Sequence, residues 1–207
     1  MSKSMKSIDK QILSRVYGHG RGWVFTPNDF KDLGSRNAIA SALKRYKQSG
    51  QIRQLARGLY DYPKSDPQLG LLLPSADDIA KALVGRDASR SQPTGAYAAN
   101  LLGLSTQVPM KVTYLTDSLS RIVEVGNRQI ILKRTTPRNM ATAGRVSGLV
   151  IQALRHLGKK NVDDQVIAQL DRRLDAQARF QLMKDVRYAP AWIADIFRDL
   201  VAKEASA

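Results

Sequence analysis

Glycine, proline and small polar residues divide the start of the chain into short elements, and this division constrains the fold more than any other feature. Apolar residues at helical spacing predict an amphipathic helix over 5–17, which a glycine-rich stretch ends. A short, strand-like apolar run follows at 23–25. Thr26 is then an N-cap candidate with Pro27 at the first helical position, which predicts a short helix ending near Leu33.

A second helix and a hairpin complete this region. Gly34 marks a turn, and a helix over 35–49 follows it and ends at Gly50. Two alternating runs, 52–55 and 59–62, predict a β-hairpin. Helix, strand, helix, turn, helix and hairpin is the order of a winged helix-turn-helix, so we expect a DNA-binding domain in roughly the first 65 residues.

The helix over 35–49 has an apolar face, formed by Ile39, Ala42, Leu43 and Tyr46, and a polar face opposite it. In a winged helix-turn-helix this helix enters the major groove. Arginine and asparagine contact guanine and adenine edges there, small residues permit close approach, and lysines suit phosphates. The residues of this helix and of the hairpin that we predict to contact DNA are Ser35, Arg36, Asn37, Ser41, Lys44, Arg45, Lys47, Arg53 and Arg57.

The charge of the chain also favours a nucleic-acid partner. Lysine and arginine number 33 against 18 acidic residues, so the formal net charge is +15. Residues 1–63 and 64–160 each carry +8, whereas 161–207 carry −1. We do not expect a membrane partner, because the basic residues lie within globular-looking elements and not in one amphipathic stretch. The absence of cysteines, of an apolar membrane span and of a secretory signal fits a cytoplasmic protein.

The rest of the chain predicts a second domain over 76–207, after a linker at 66–75. We expect a small β-sheet within 110–134, with a tight turn at Gly126-Asn127, and a helical bundle over 139–203. The helices predicted in this domain cover 76–85, 94–102, 139–157, 162–173, 175–187 and 190–203. The expected fold class is therefore α+β, mostly helical, with a winged helix-turn-helix followed by a mixed α/β and helical domain.

Two segments of the chain resemble a known family. DFKDLGSRNAIASALKRYKQSGQIRQLARGLYDYPK (29–64) is similar to the N-terminal domain of AbiEi-type antitoxins of type IV toxin–antitoxin systems, and TGAYAANLLGLSTQVPMKVTYLTD (94–117) is similar to the core of their second domain. The resemblance covers roughly 8–135. It implies a repressor that binds inverted repeats in the promoter of its own operon and that counteracts a nucleotidyltransferase-like toxin.

The resemblance also gives provisional roles to residues of the second domain. It implies that the helix over 35–49 reads the DNA and that 52–62 form the wing. Further basic residues of the predicted sheet are candidates for an additional DNA or toxin contact, namely Arg121, Arg128, Lys133 and Arg134. It does not identify toxin-binding residues. We expect a monomer or weak dimer in solution.

No catalytic or metal site is expected. The two histidines, His19 and His156, are far apart in sequence, and we interpret both as surface or helix-end residues. We interpret two acidic pairs, Asp77-Asp78 and Asp163-Asp164, as first-turn residues that follow the cap candidates Ser75 and Asn161. No nucleotide-binding motif is present, so we expect no cofactor.

Two alternatives to the antitoxin remain open at this point. One is a stand-alone transcriptional regulator whose second domain serves dimerisation or ligand sensing. The other is a nucleic-acid enzyme that uses the winged domain for docking, against which the missing acidic or histidine-based site argues. The apolar stripes of the last helices fit either a core or a partner surface, in which Trp192 and Phe197 would be the anchors.

Overall fold

A computed structural model describes residues 7–85 and 90–204 of the chain. The fold is α+β and mostly helical, as the sequence predicted. The described residues form two compact units, one comprising 7–85 and 123–127 and the other 90–122 and 128–204. This division differs from the predicted one, because the segment expected to be a linker and the helix after it belong to the first unit.

The first unit begins with the predicted succession of short elements. They are α1 (Ile8–His19), β1 (Val24–Phe25), a 3₁₀ turn (Pro27–Phe30), α2 (Arg36–Gln48), β2 (Arg53–Ala56), β3 (Leu59–Asp61), β4 (Ser65–Asp66), β5 (Gly70–Leu71) and α3 (Ala76–Val84). Strands β1, β3 and β2 form an antiparallel sheet in that order, and β4 pairs with β5. The predicted start of α1 at residues 5 and 6 lies outside the described residues.

Local hydrogen bonds explain where the helices of this unit begin. The Ser35 hydroxyl accepts from the backbone N–H of Ala38 at 3.3 Å and caps α2. The carboxylate of Asp29 accepts from the backbone N–H of Thr26 at 2.8 Å and holds the start of the 3₁₀ turn. The predicted helix after Pro27 is therefore present only as this single turn.

The core of the first unit lies beneath α1 and α2. Side chains from both helices, the 3₁₀ turn and the strands meet there, namely Ile12, Val16, Phe25, Phe30, Ile39, Ala42, Leu43 and Ile52. The rings of Phe25 and Phe30 pack edge to face with centroids 5.5 Å apart. The predicted apolar face of α2 is confirmed, because Ile39, Ala42 and Leu43 are buried and Tyr46 packs against them.

The second unit combines a sheet with a helical bundle. Its elements are β6 (Ser91–Thr94), α4 (Gly95–Leu101), β7 (Lys111–Thr116), β9 (Arg128–Arg134), α5 (Pro137–Met140), α6 (Val146–Leu157), α7 (Asp164–Arg173), α8 (Ala176–Asp185) and α9 (Ala191–Glu204), with 3₁₀ turns at Lys159–Asn161 and Val186–Tyr188. Of β8 (Arg121–Val125), only the first two residues belong to this unit. The sheet order is β6-β7-β9-β8; β6 runs antiparallel and β9 parallel to β7.

Apolar side chains of α4 and α6–α9 form the core of the second unit. Phe197 is fully buried in it and Trp192 packs against it, so these residues belong to the core and not to an exposed partner surface. A buried carboxylate, Asp185, ties α8 to α6 by accepting hydrogen bonds from Arg145 at 2.7 Å and from Ser147. The predicted core interpretation of the C-terminal stripes is confirmed.

The structure corrects two other expectations about the second half. The helix predicted over 139–157 is two helices, because Gly144 (φ +77°) lies between α5 and α6. The cap of α7 is Asp163, whose carboxylate accepts from the N–H of Val166 at 2.9 Å, and not Asn161.

In the described ranges, no helix has both the length and the apolar character that crossing a membrane would require.

Candidate nucleic-acid interface

The outer face of α2 presents polar side chains that the protein does not otherwise use. Arg36, Asn37, Ser41 and Lys44 are all exposed. With other described residues they form no hydrogen bond or ion pair. Residues three and four apart on a helix share a face, so Asn37, Ser41 and Lys44 point in the same general direction, and Arg36 lies beside Asn37 in the first turn. A ligand that approaches α2 would therefore meet donors and acceptors that it does not have to displace from the protein.

Two basic residues near the end of α2 do have partners. The guanidinium of Arg45 donates to the carboxylate of Asp9 on α1 through Nε at 3.0 Å and through an Nη at 2.6 Å. Lys47 donates from Nζ to the side-chain oxygen of Gln54 on β2 at 2.8 Å. Both contacts are exposed, and an exposed ion pair contributes only about 0–1 kcal/mol. A phosphate can therefore compete for either cation.

The β2–β3 hairpin places one basic residue at its tip and a second inside. Arg57 and Gly58 form the two-residue turn, and Gly58 takes a positive φ of +72° that favours glycine. Arg57 is exposed there. Arg53, in contrast, donates to both carboxylate oxygens of Asp61, at 3.1 and 2.6 Å, and to the carbonyl of Leu72 at 2.7 Å.

The prediction that Arg53 contacts DNA therefore conflicts with its geometry. Asp61 is 1% exposed, so the guanidinium of Arg53 balances a buried negative charge. Breaking such a pair leaves a carboxylate without compensation, at a cost of about 3–5 kcal/mol. Arg53 holds the hairpin together, and its charge is directed into the unit.

No acidic residue interrupts the sequence from the start of α2 to Tyr60 in β3. Residues 33–60, here called the acid-free segment, contain six basic residues and no acidic one. The four aspartates that flank it between residues 7 and 61 each accept a hydrogen bond from the protein, and they are Asp9, Asp29, Asp32 and Asp61. Hydrogen bonding to Asp32 raises the pKa of the Arg15 guanidinium, opposing the effect of its partial burial.

The four basic candidates of the second unit do not share one face of the sheet. Strand residues alternate between faces. By this alternation Arg128 and Arg134 belong to the face of the buried Ile130 and Leu132, whereas Lys133 belongs to the opposite one. Arg121, Lys133 and Arg134 are exposed and Arg128 is half-buried. These residues supply positive charge at several points but do not build a single basic surface.

The remaining polar candidates have structural roles. His19 lies in the last turn of α1 and stacks on Trp23 with ring centroids 3.9 Å apart. His156 is exposed in the last turn of α6. Asp77 and Asp78 lie in the first turn of α3, which Ser75 caps, as predicted. The predicted helix-end positions of both histidines are confirmed.

The sequence analysis gave no role to a cluster around the end of α1. The guanidinium of Arg21 lies over the ring of Tyr62 at 4.8 Å from its centroid, and it donates to the carbonyl of Pro63 at 3.0 Å. Tyr17 packs against the same ring, with centroids 5.2 Å apart. In the sequence, Arg21 lies in a glycine-rich turn shortly after Tyr17, but Tyr62 is distant along the chain. The pairing of β1 with β3 brings Tyr62 beside them.

Comparison with known proteins places the chain beside others whose role has not been determined. A family model described as "Family of unknown function (DUF6088)" matches residues 11–182, which takes in most of both units. No curated protein matches the chain significantly. The resemblance to AbiEi-type antitoxins therefore stays a prediction.

Proposed function

This chain belongs to DUF6088, a family of unknown function, and we propose that it is a DNA-binding protein whose first unit is a winged helix-turn-helix. In this proposal α2 is the recognition helix, and the β2–β3 hairpin is the wing. Arg36, Asn37 and Ser41 contact base edges, while Lys44, Lys47 and Arg57 contact phosphates. Ser35 caps α2 and Arg53 stabilises the hairpin, so neither is assigned to a base.

The order of elements supports the proposal. The 3₁₀ turn precedes α2 with only five residues between them, and α1 packs against α2 through a shared core. Gly34 lies in this connection, where an added Cβ would come within 2.7 Å of the end of the Ile8 side chain. The strand β1, between α1 and the 3₁₀ turn, pairs with β3 and so attaches the hairpin to the helices.

The single observation that carries the proposal is that the polar side chains on the outer face of α2, within the acid-free segment, form no hydrogen bond or ion pair with other described residues. Surface arginines commonly pair with nearby carboxylates, as Arg45 does with Asp9. Arg36 and Asn37 have no such partner among the described residues, and no acidic residue lies within the acid-free segment that contains them. Arginine and asparagine at exposed positions of the first turn match the side chains that read guanine and adenine in the major groove.

A gel-shift titration on the DNA upstream of the protein's own gene, against a scrambled duplex, tests the proposal. At about 50 and about 200 mM salt, we expect preference for the upstream DNA to survive the change while total affinity falls. Equal binding to the two duplexes, lost at the higher salt, would show that the charge provides only a non-specific attraction. That result would refute sequence-specific recognition.

Variants of α2 assign the roles of its residues. We expect Arg36→Ala and Asn37→Ala each to weaken binding to the upstream DNA by about 1–3 kcal/mol and to affect the scrambled duplex little. Lys44→Ala should weaken both duplexes and reduce the log–log salt slope by about 0.9. Lys81→Ala is the matched control, because Lys81 is an exposed lysine on α3 of the same unit. If both Arg36→Ala and Asn37→Ala bind normally, α2 is not the recognition helix.

The resemblance of 29–64 and 94–117 to AbiEi-type antitoxins supports a narrower proposal. In it the protein is a cytoplasmic autorepressor at inverted repeats, and it counteracts a nucleotidyltransferase-like toxin. Expression of the neighbouring gene alone should arrest growth, and co-expression of this chain should restore it. A harmless neighbour would instead favour a stand-alone regulator whose second unit serves dimerisation or ligand sensing.

A further inference from the structure

The first unit contains an open groove that includes two of the proposed phosphate contacts, Lys47 and Arg57, together with an exposed tyrosine that DNA binding does not explain. It lies between the C-terminal ends of α1 and α2 and the β2–β3 hairpin, and its volume is about 830 Å³. Pockets that bind small organic ligands have volumes of about 300–1,000 Å³. The groove is therefore large enough for a ligand of several fused or linked rings.

Four basic residues line this groove. Arg21, Lys47 and Arg57 are at its surface, and Arg53 contributes to its wall while it binds Asp61. None of the described residues that line the groove is acidic. A low-dielectric cleft lined by one sign of charge concentrates the field, so the groove attracts an anion.

Aromatic rings occupy the same groove. Tyr17 lines the groove and is 46% exposed, whereas tyrosines in folded proteins are commonly buried to a greater extent. Its neighbour Tyr62 is already covered on one side by the guanidinium of Arg21. The exposed surface of Tyr17 is therefore a place where a planar ring can stack beside a fixed cation, and the Gln51 side chain is close enough to line the same space.

Backbone hydrogen bonds reduce the partial negative charge of the two helix ends that border the groove. The carbonyl of Tyr17 accepts from the N–H of Gly20 at 3.0 Å. At the end of α2, the carbonyl of Tyr46 accepts from the N–H of Gln51 at 3.0 Å, and that of Lys47 accepts from Gly50 at 3.2 Å. These carbonyl groups are satisfied by the backbone, so the partial negative charge of the helix ends is reduced.

We propose that this groove binds a nucleotide, with the base stacked on Tyr17 and the phosphate held by Arg21 and Lys47. A base and a phosphate in one molecule match the two features that the groove combines, an exposed aromatic face and several basic side chains. The same chemistry is offered by a free mononucleotide and by one residue of a single strand. The site is separate from the base-reading face of α2, and binding at it does not require that duplex recognition be correct.

Isothermal titration of the full chain with adenosine monophosphate, inorganic phosphate and a single strand of about eight nucleotides tests the proposal. Tyr17→Ala should weaken adenosine monophosphate binding by about 5- to 150-fold and phosphate binding little, since stacking is lost. Tyr17→Phe should restore nucleotide affinity. Lys47→Gln should weaken all three ligands and provides a second test if Tyr17→Ala does not fold.

Two control variants separate this site from others. Tyr188→Ala removes a tyrosine that also lies beside an arginine, Arg187, but in the second unit, and it should leave nucleotide binding unchanged. Arg36→Ala should reduce duplex recognition and leave nucleotide binding unchanged. Failure of either proposal is thereby distinguishable from failure of the other.

The relative affinities identify the source of the nucleotide. Tighter binding of the single strand, with the same dependence on Tyr17, assigns the groove to an unpaired strand, and equal or tighter binding of adenosine monophosphate assigns it to a free nucleotide. Absence of binding by both at about 1 mM, or nucleotide binding that Tyr17→Ala does not change, would overturn the proposal. Phosphate binding as tightly as the nucleotide would overturn it too, because the groove would then be an anion site only.

Discussion

Replacing Arg53 by methionine should destabilise the first unit and leave the charge that DNA encounters almost unchanged. Arg53 makes two hydrogen bonds to Asp61 and one to the carbonyl of Leu72. Asp61 is 1% exposed, so without Arg53 its carboxylate would be buried with no compensating charge. Methionine keeps the length of the side chain, so the substitution removes mainly the charge and the donors.

The expected loss of stability at neutral pH is about 3–4 kcal/mol. Stranding one member of a buried ion pair costs about 3–5 kcal/mol. An upper limit comes from protonation, because an aspartate in water takes up a proton at pH 7 at a cost of about 4 kcal/mol.

Urea unfolding followed by tryptophan fluorescence measures this loss. The chain has two tryptophans, Trp23 in the first unit and Trp192 in the second, so a Trp192→Phe background makes the signal specific to the first unit. A loss of about 3–4 kcal/mol corresponds to a fall of about 1–2 M in the urea midpoint for a slope near 2 kcal/mol/M. Arg45→Met is the matched control, because its partner Asp9 is exposed and the expected loss is about 0–1 kcal/mol.

A double variant decides between a structural and a DNA-binding role of Arg53. Arg53→Met with Asp61→Leu removes both charges, so most of the stability should return, apart from about 1 kcal/mol for the unpaired carbonyl of Leu72. The salt slope of DNA binding should stay as in the parent protein. A midpoint shift no larger than that of Arg45→Met, or a double variant that is stable but has a slope shallower by about 0.9, would refute the reasoning.

Two further substitutions test local interactions in the two units. Ser35→Ala should lower the stability of the first unit by about 1 kcal/mol, because the α2 cap is lost, and should leave the salt slope of DNA binding unchanged. Ser35→Asp should retain the cap. An unaltered urea midpoint for Ser35→Ala would contradict this role. In the second unit, the backbone N–H and then the side chain of Arg90 lower the pKa of Asp117. The stabilising contribution of Asp117 is therefore complete above the ordinary aspartate pKa and is lost as the pH falls through the lower pKa of the folded state. Asp117→Asn should flatten the acid side of a plot of stability against pH. An unchanged acid side would argue against this contribution.

Elements with strong local signals could be predicted from the sequence. The cap at Ser35, the apolar spacing of α2 and the glycine after it define that helix without reference to the rest of the chain. The three strands β7, β8 and β9 lie within the predicted range 110–134, with the turn at Gly126-Asn127 between β8 and β9, because β-branched residues and a turn signal occur there. Local chemistry was sufficient wherever capping, periodicity and turn residues agreed.

Elements that depend on distant partners could not be predicted. Strand β6 contains Pro93 and has no alternating pattern, and it is extended because it pairs with β7. The hairpin of β4 and β5 lies in the predicted linker, where the side chain of Asp66 accepts from the N–H groups of Gln68 and Leu69 and so forms the turn. In both cases the strands form because of tertiary pairing or a side-chain hydrogen bond in a turn, and the prolines in these segments gave no indication of a strand.

The pairing of Arg53 with Asp61, which the sequence analysis did not predict, has a specific cause in the register of the hairpin. A regular hairpin with a two-residue turn at 57–58 would pair Arg53 with Tyr62. A bulge between Gln54 and Ala56 shifts the pairing by one residue, so that Arg53 is opposite Asp61. A shift of one residue exchanges the partners of every side chain beyond it, and nothing in the local sequence marks this bulge.

The same register determines how much of the formal charge can act on DNA. Of the six basic residues in the acid-free segment, Arg53 is directed inward, which leaves at most five to meet phosphates. Each contributes about 0.9 to the log–log salt slope, so one bound copy of this unit alone should give a slope no steeper than about −4.5. The whole formal charge of +15 would give about −13. A measured slope well beyond −5 for each copy would therefore require phosphate contacts from outside the acid-free segment, whereas a slope near −4 would confine the duplex to α2 and the hairpin.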